Sequence, residues 1–519
     1  TNNEGYKHAG LFCSLKNAIV ENLVIDSSCS FTGSAAGSLS VSLNGSLTVK
    51  HTTNNAAVSG SEKLGGFIGF VQDMKQPTVI SFEDCVNNGI VTGSGYYVGG
   101  FVGTISDNTN MTMTISYSEN NGSITGSHYV GGFIGHFLNN SINVTISNST
   151  NNGNTTCSVQ FVGGFVGRIS NNTDIVMTIS QSTNDGNIAS GSHDAGGFVG
   201  YMTNNTNMII TVNRSSNNGN VCGNNNSIGG FVGLIWYCVN VTVTIMDLTN
   251  NGNVSGSDNV GGLVGYIAHN TIMAVTITNS INNGNVTGSK LYVGGLVGLI
   301  NSPLDSHSTT LDVKNSANKG SVSAKKDMAC GFVCVHPKNN CNVKTTMKNS
   351  INKGNVNAGT NGYGYAYGMT NNITEARNVV SMGDVTGPSG SFTFWKTTTN
   401  ASLFYGLDGK CNNCSGGARL FKHNTTTGFY EVVETGQCVH DLLNDESVNK
   451  HFGMVWTSKL ELTKQLLFVS VHGLFHQTFT SSFGESLNKV GNISSYFNDN
   501  EWCVGDGGRQ PRIAFKPTH

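Results

Sequence analysis

Apolar and polar residues alternate one for one in short segments that return along the chain. In 110–116, Met111, Met113 and Ile115 alternate with Thr112, Thr114 and Ser116. The segments 174–180 and 240–246 repeat the pattern with Ile175, Met177 and Ile179, and with Val241, Val243 and Ile245. Period two with β-branched residues predicts strands. A second segment, "VGGFVG" at 98–103 and 162–167, returns as "LGGFIG" at 64–69, "VGGFIG" at 130–135 and "VGGLVG" at 260–265 and 293–298. A third, of the "GNVTGS" type, follows turns such as "STNNGN" at 149–154 and "SINNGN" at 280–285. Asn and Gly tolerate the left-handed backbone such corners need.

The first glycine of the second segment falls at Gly65, Gly99, Gly131, Gly163, Gly196, Gly229, Gly261 and Gly294, in steps of 32–34 residues. Self-similarity at this period marks a solenoid. Helical repeats of this length need a 3.6-residue period, and 67 glycines would undermine them. Six prolines suit continuous ladders. The prediction is an all-β parallel β-helix of about 10–12 coils, three strands per repeat, rising about 4.8 Å per coil to a rod of about 50 Å. Two columns follow from the register. One is apolar and includes Phe101, Phe133, Phe165, Phe198 and Phe231; the other contains Asn120, Asn151, Asn184, Asn217 and Asn250. "HAGLFC" at 8–13 and "AAGSLS" at 35–40 read as shorter coils, and "ACGFVC" at 329–334 and "YGYAYG" at 363–368 as degenerate ones. The expected organisation is an N-terminal set of short coils or cap (1–64), regular solenoid (65–390) and a cysteine-containing C-terminal capping domain (391–519). Within the last, 444–452 is expected to be a short helix and 465–475 a buried strand.

If "VGGFVG" is one strand, Phe101 and Ile105 lie on one face and Val98 and Val102 on the other. Both faces are apolar, as in strands buried on two sides. The valine face, represented by Val98, Val102, Val166 and Val199, is therefore an expected interface. Its cover would be a connection of the chain, the C-terminal region or a neighbouring molecule.

The "GGLVG" and "GGFVG" cores with "NNGNVTGS" tails resemble GLUG-type glycine-rich β-solenoid repeats of bacterial and protist surface proteins, over roughly residues 5–390. The resemblance implies cell-surface, adhesive or extracellular structural roles. It carries no catalytic residue onto this chain.

Composition narrows the classes further. Of 519 residues only 11% are charged, the net charge is −2, and 37% are hydrophobic. Disorder normally combines low hydrophobicity with high net charge. Nucleic-acid binding needs clustered Lys and Arg, and the longest basic run is Lys325-Lys326. There is no apolar run of about 18 residues, so no membrane span is expected. A chain that starts at Thr1 is expected to be a processed or partial product. Asn-x-Ser/Thr triplets make Asn110, Asn143, Asn171, Asn204, Asn240, Asn285 and Asn424 candidates for N-glycosylation. With 13 cysteines, these point to a secreted glycoprotein. Disulfide candidates are Cys13 with Cys29, two of Cys330, Cys334 and Cys341, and two pairs among Cys411, Cys414, Cys438 and Cys503.

No catalytic residue, metal or cofactor is expected. A phosphate loop leads from a strand into a helix, whereas here a strand follows every glycine motif. One C-x-x-C, at 411–414, is too little for a zinc site. No acid column exists for calcium. Glycan cleavage needs convergent carboxylates, for which Asp84, Glu119 and Asp185 near the Asn-Gly corners are the nearest candidates. The expected function is that of an extracellular structural or adhesive β-solenoid, self-associating as a filament or coat subunit. The alternatives are a monomeric carbohydrate-binding adhesin and, further off, a polysaccharide lyase or hydrolase.

Overall fold

The computed structural model describes residues 8–364 except 303–306 and 337–342, and beyond 364 a set of short segments ending at Val432. The described residues are all-β, and every coil stacks in parallel on the next. In one coil, Tyr96–Gly99 belongs to a first sheet and Val102–Ser106 to a second. Met111–Ser116 and Glu119–Asn120 belong to a third, and Ile124–Gly131 returns to the first. Each strand pairs with its counterpart about 33 residues away: Val98 lies beside Leu64 and Val130, and Ile115 beside Phe82 and Ile146. The second sheet has 12 strands, one per coil. The short N-terminal coils join the same stack, with His8 beside Ala35 and Ala36 beside Leu64.

Each coil thus has more than the three strands expected, because the "VGGFVG" motif is not one strand. The chain turns a corner at Gly100 and Phe101. Val98 stays in the first sheet, while Val102 opens the second. Alternation does not carry across a corner, so the predicted valine face does not exist. Val102, Val166 and Val199 are fully buried in the main core together with the phenylalanines. Val98 is fully buried in a second, smaller core, which it shares with Val91 and Ile124 of the first sheet. Gly93 makes room for this, since a Cβ there would sit 2.5 Å from Val98 Cγ2. The expected interface at Val98, Val102, Val166 and Val199 is therefore corrected: the chain's own coils cover all four.

The Phe column is present. Phe101, Phe133, Phe165, Phe198 and Phe231 stack at centroid separations of 4.7–4.8 Å, all without exposure. That spacing equals the rise of parallel strands, so each ring faces the next at contact distance.

The Asn column is a buried hydrogen-bonded ladder. Asn120 Nδ2 donates to Asn151 Oδ1 at 2.7 Å, and the same bond links Asn151 to Asn184, Asn184 to Asn217 and Asn217 to Asn250, each at 2.7 Å. Each amide also donates to the glycine carbonyl two residues on, as from Asn184 to Gly186 at 2.8 Å. The ladder starts earlier than expected, at Asn54, and ends on Ser381 Oγ. The two repeated motifs meet here. A Cβ on Gly164, second of its glycine pair, would lie 2.1 Å from Gly197 O and 2.5 Å from Asn184 Oδ1.

A second buried ladder, missed in the sequence, occupies the connection between second and third sheets. Asn108, Asn140, Asn172 and Asn205 are linked from Nδ2 to Oδ1 at 2.9–3.0 Å, and Cys238 and Asn270 continue the column. The signal was available, since these asparagines recur at the repeat period.

Past residue 390 the parallel stacking persists in the third sheet, with Ala376 beside Ala401 and Tyr405 beside Arg419. An antiparallel pair, Arg419–Asn424 with Phe429–Val432, follows. The expected helix at 444–452, the strand at 465–475, and Cys341, Cys411, Cys414, Cys438 and Cys503 lie outside the described residues. Asn424 ends a strand, but its side chain is also outside them.

Candidate functional site

Two surfaces are candidates for recognition. The first is the outer face of the third sheet. From Thr112, Thr114 and Ser116 through six successive coils to Ala274, Thr276 and Thr278, every outward position of the long strands is Thr, Ser, Asn, Val, Ile, Ala or Met, with the exposed Glu119 on the short strand beside them. Val176 and Ile209 are 42% and 48% exposed on it. Charges resume beyond both ends, at Lys50 and Glu83 and at Asp312 and Lys314. The strands are in register, so the face is regular as well as neutral.

The second surface is a corner between first and second sheets, over four neighbouring coils. Tyr97, Tyr129 and Phe161 occupy equivalent positions, 5.4 and 5.7 Å apart by ring centroid. Tyr96 stacks on His128 at 4.5 Å outside them and is 40% exposed. Behind the rings, the second sheet presents His136, Arg168 and Tyr201 in one column. The Arg168 guanidinium lies 4.7 Å from the Tyr129 ring and 5.5 Å from those of Phe161 and Tyr201. His136 is buried under Tyr97 and Tyr129, and its Nε2 bonds Ser170 Oγ at 2.7 Å. Burial, then the Arg168 charge, holds its pKa well below the usual histidine range, so it is neutral at physiological pH.

Asp194 takes the ring position one coil on. Burial pushes its carboxyl up to about 7, against a lowering hydrogen bond to the Ser227 side chain. A carboxyl whose pKa is raised on folding binds protons better in the native state. Stability should therefore fall as pH rises from about 4 to about 7, then level off. Urea unfolding at several pH values checks this, and Asp194→Asn should flatten the slope.

The structure does not assemble the acids proposed for glycan cleavage. Asp84 pairs with His51 at 2.8 Å, Asp185 accepts from Asn218 at 2.7 Å, and Glu119 stands in a different column, beside Val86 and Thr150. Among the described residues no three His, Cys, Asp or Glu side chains converge to hold a metal.

Of the disulfide candidates, Cys330 and Cys334 are bonded. Cys13 and Cys29 are not; both are free and exposed, which corrects that pairing. Cys85 and Cys238 are buried and free because they stand in for ladder residues, Ser in one column and Asn in the other. Burial pushes both thiols, and that of Cys157, up to about 11. The thiolate is the nucleophile, so these three should resist maleimide in the native chain while Cys13 and Cys29 react. Mapping labelled peptides by mass spectrometry tests this.

The sequon residues Asn110, Asn143, Asn171, Asn204, Asn240 and Asn285 are all exposed. Asn240 Nδ2, the atom a glycan would take, donates to Asn207 Oδ1 at 2.8 Å. No helix of the described residues is long and apolar enough to cross a membrane.

No family model, curated protein or solved structure matches the chain.

Proposed function

We propose that this chain is an extracellular structural or adhesive β-solenoid that associates side by side with copies of itself. The observation that carries the reading is the outer face of the long strands of the third sheet, uncharged over six coils and bounded by charge at both ends. Stacked Phe and Asn columns make the coils a stiff support for that face. Neutral, regular surfaces lose little solvation when they pair, whereas charged ones pay desolvation. On this reading the contact covers the coils carrying Val176, Ile209, Thr244 and Ala274. A glycan at Asn143 would end it on one side, and Asn240, on the same strand as Thr244 with its Nδ2 bonded to Asn207, must be unmodified.

The test is association of the purified full chain, followed by light scattering against concentration and by electron microscopy. Paired or bundled rods are expected. Thr178→Lys combined with Thr244→Lys should keep the melting temperature within a few degrees and weaken association at least tenfold. A chain that stays monomeric at high concentration, or a double variant that associates as well as the parent, would sink the lateral model. On this reading the chain serves as a coat or filament subunit.

A further inference from the structure

We infer that the corner formed by Tyr96, Tyr97, His128, Tyr129, Phe161 and Arg168 is a binding site for an acidic sugar, its carboxylate or sulfate on the arginine and its ring against the outer edges of the aromatics.

Three independent features point there. The first is backbone cost. Tyr97, Tyr129 and Phe161 sit at φ of 65, 53 and 63°, in the left-handed region. The same column holds Lys63, Ser227, Asn259 and Tyr292 at positive φ, so the left-handed corner belongs to the repeat. Asn tolerates that conformation better than a bulky side chain, yet three consecutive coils place an aromatic ring there.

The second feature is the state of Arg168. It is partly exposed, it stacks on three rings, and no carboxylate lies within ion-pair distance of it among the described residues. Its Nε is buried without a hydrogen-bond partner, as is Nδ1 of the buried His136 beneath the rings. Buried polar atoms are normally satisfied, and a guanidinium presents five donors suited to a planar anion. Asp194, the nearest acid on the following coil, is engaged with Ser227. Glu62 is the acid felt by Tyr97 at the far end of the corner.

The third feature is composition. Outside the Phe column, aromatic rings gather in two places, here and around Trp236, Tyr237, His269 and His307, and only this corner adds an arginine; its outermost rings, Tyr96 and His128, are stacked on each other. The rings lie face to face along the rod, Phe161 on Tyr129 and Tyr201 on Phe161, so they turn their edges outward over three coils. A sugar packs against those edges, and the arginine supplies the selection for charge. A ligand of this kind gives the adhesive reading its partner, yet the site stands without lateral association and can fail separately from it.

The experiment is titration of the full chain with trigalacturonate, a heparin-derived tetrasaccharide and 3'-sialyllactose, with maltotriose and lactose as uncharged counterparts. It is read by calorimetry and by tyrosine fluorescence. At least one acidic probe should bind in the micromolar to low millimolar range, at least tenfold tighter than the uncharged probes, and should weaken with added salt. Arg168→Gln should abolish the preference for charge, and Arg168→Lys should restore part of it, because a point charge lacks the planar fork. Tyr96→Ala removes an exposed ring that the fold does not need. It should weaken binding severalfold with an unchanged melting temperature. Equal affinity for acidic and neutral probes, no binding of any acidic probe at 10 mM (a ceiling of about 3 kcal/mol), or full binding by Arg168→Gln would overturn the proposal.

Discussion

Replacing Asn184 by alanine should cost the surrounding coils about 3 kcal/mol, a large share of what holds a domain together. The change removes three bonds at once. Asn151 Nδ2 loses its acceptor, Asn217 Nδ2 is untouched, and Asn217 Oδ1 and the Gly186 carbonyl each lose a donor. All of these atoms are buried, so water cannot replace what is lost, and each unsatisfied group costs about 1–3 kcal/mol. Asn251 is the control. It belongs to an exposed ladder, donating to Asn218 and accepting from Asn283 at 2.7 Å each. Water can take both roles there, and Asn251→Ala should cost about 0.5 kcal/mol or less. Hydrogen exchange resolved to single coils is the suitable measurement, because solenoid stability is a sum of repeat and neighbour terms. Equal effects of the two substitutions would refute a buried ladder.

Gly164→Ala should be worse still, costing roughly 4 kcal/mol or more, and should leave the central coils unable to stack. The added Cβ meets a backbone carbonyl of the next coil, Gly197 O, and the Asn184 amide oxygen. Neither can give way. Moving the carbonyl breaks the sheet, and moving the amide breaks the ladder. Soluble yield and circular dichroism against Thr178→Ala, a change on the outer face, would show the contrast. A well-folded Gly164→Ala chain would mean that coils are spaced more loosely than described.

These two substitutions touch the two repeated motifs, the Asn column and the glycine pair, which meet only in the folded coils. The repeat period fixed the parallel stacking, and alternation at 110–116 placed Met111, Met113 and Ile115 inside, where they are found. The Asn and Phe columns were legible because in a solenoid the residue one period away is also the spatial neighbour. By the same logic the ladder through Asn108, Asn140 and Asn172 is legible at the repeat period, though the loop-like composition around it obscures that period. The aromatic corner was harder to see. Tyr97, Tyr129 and Phe161 recur in only three coils, and nothing local reveals that Arg168, seven residues after Phe161, turns back under them.

What the sequence determined by itself is therefore the translation along the rod axis: parallel stacking, register, the Phe column, the first Asn column and the coil count. A repeat of constant length leaves the chain few other ways to pair its backbone. What only the tertiary structure decided is the path within one coil. The corner at Gly100 and Phe101 sends Val98 and Val102 into two different cores, and so removes the valine face. Corners are set by backbone torsions and by the room that glycines leave for neighbouring coils. Hydrophobic periodicity does not register either, because it describes a strand only as far as the strand runs straight.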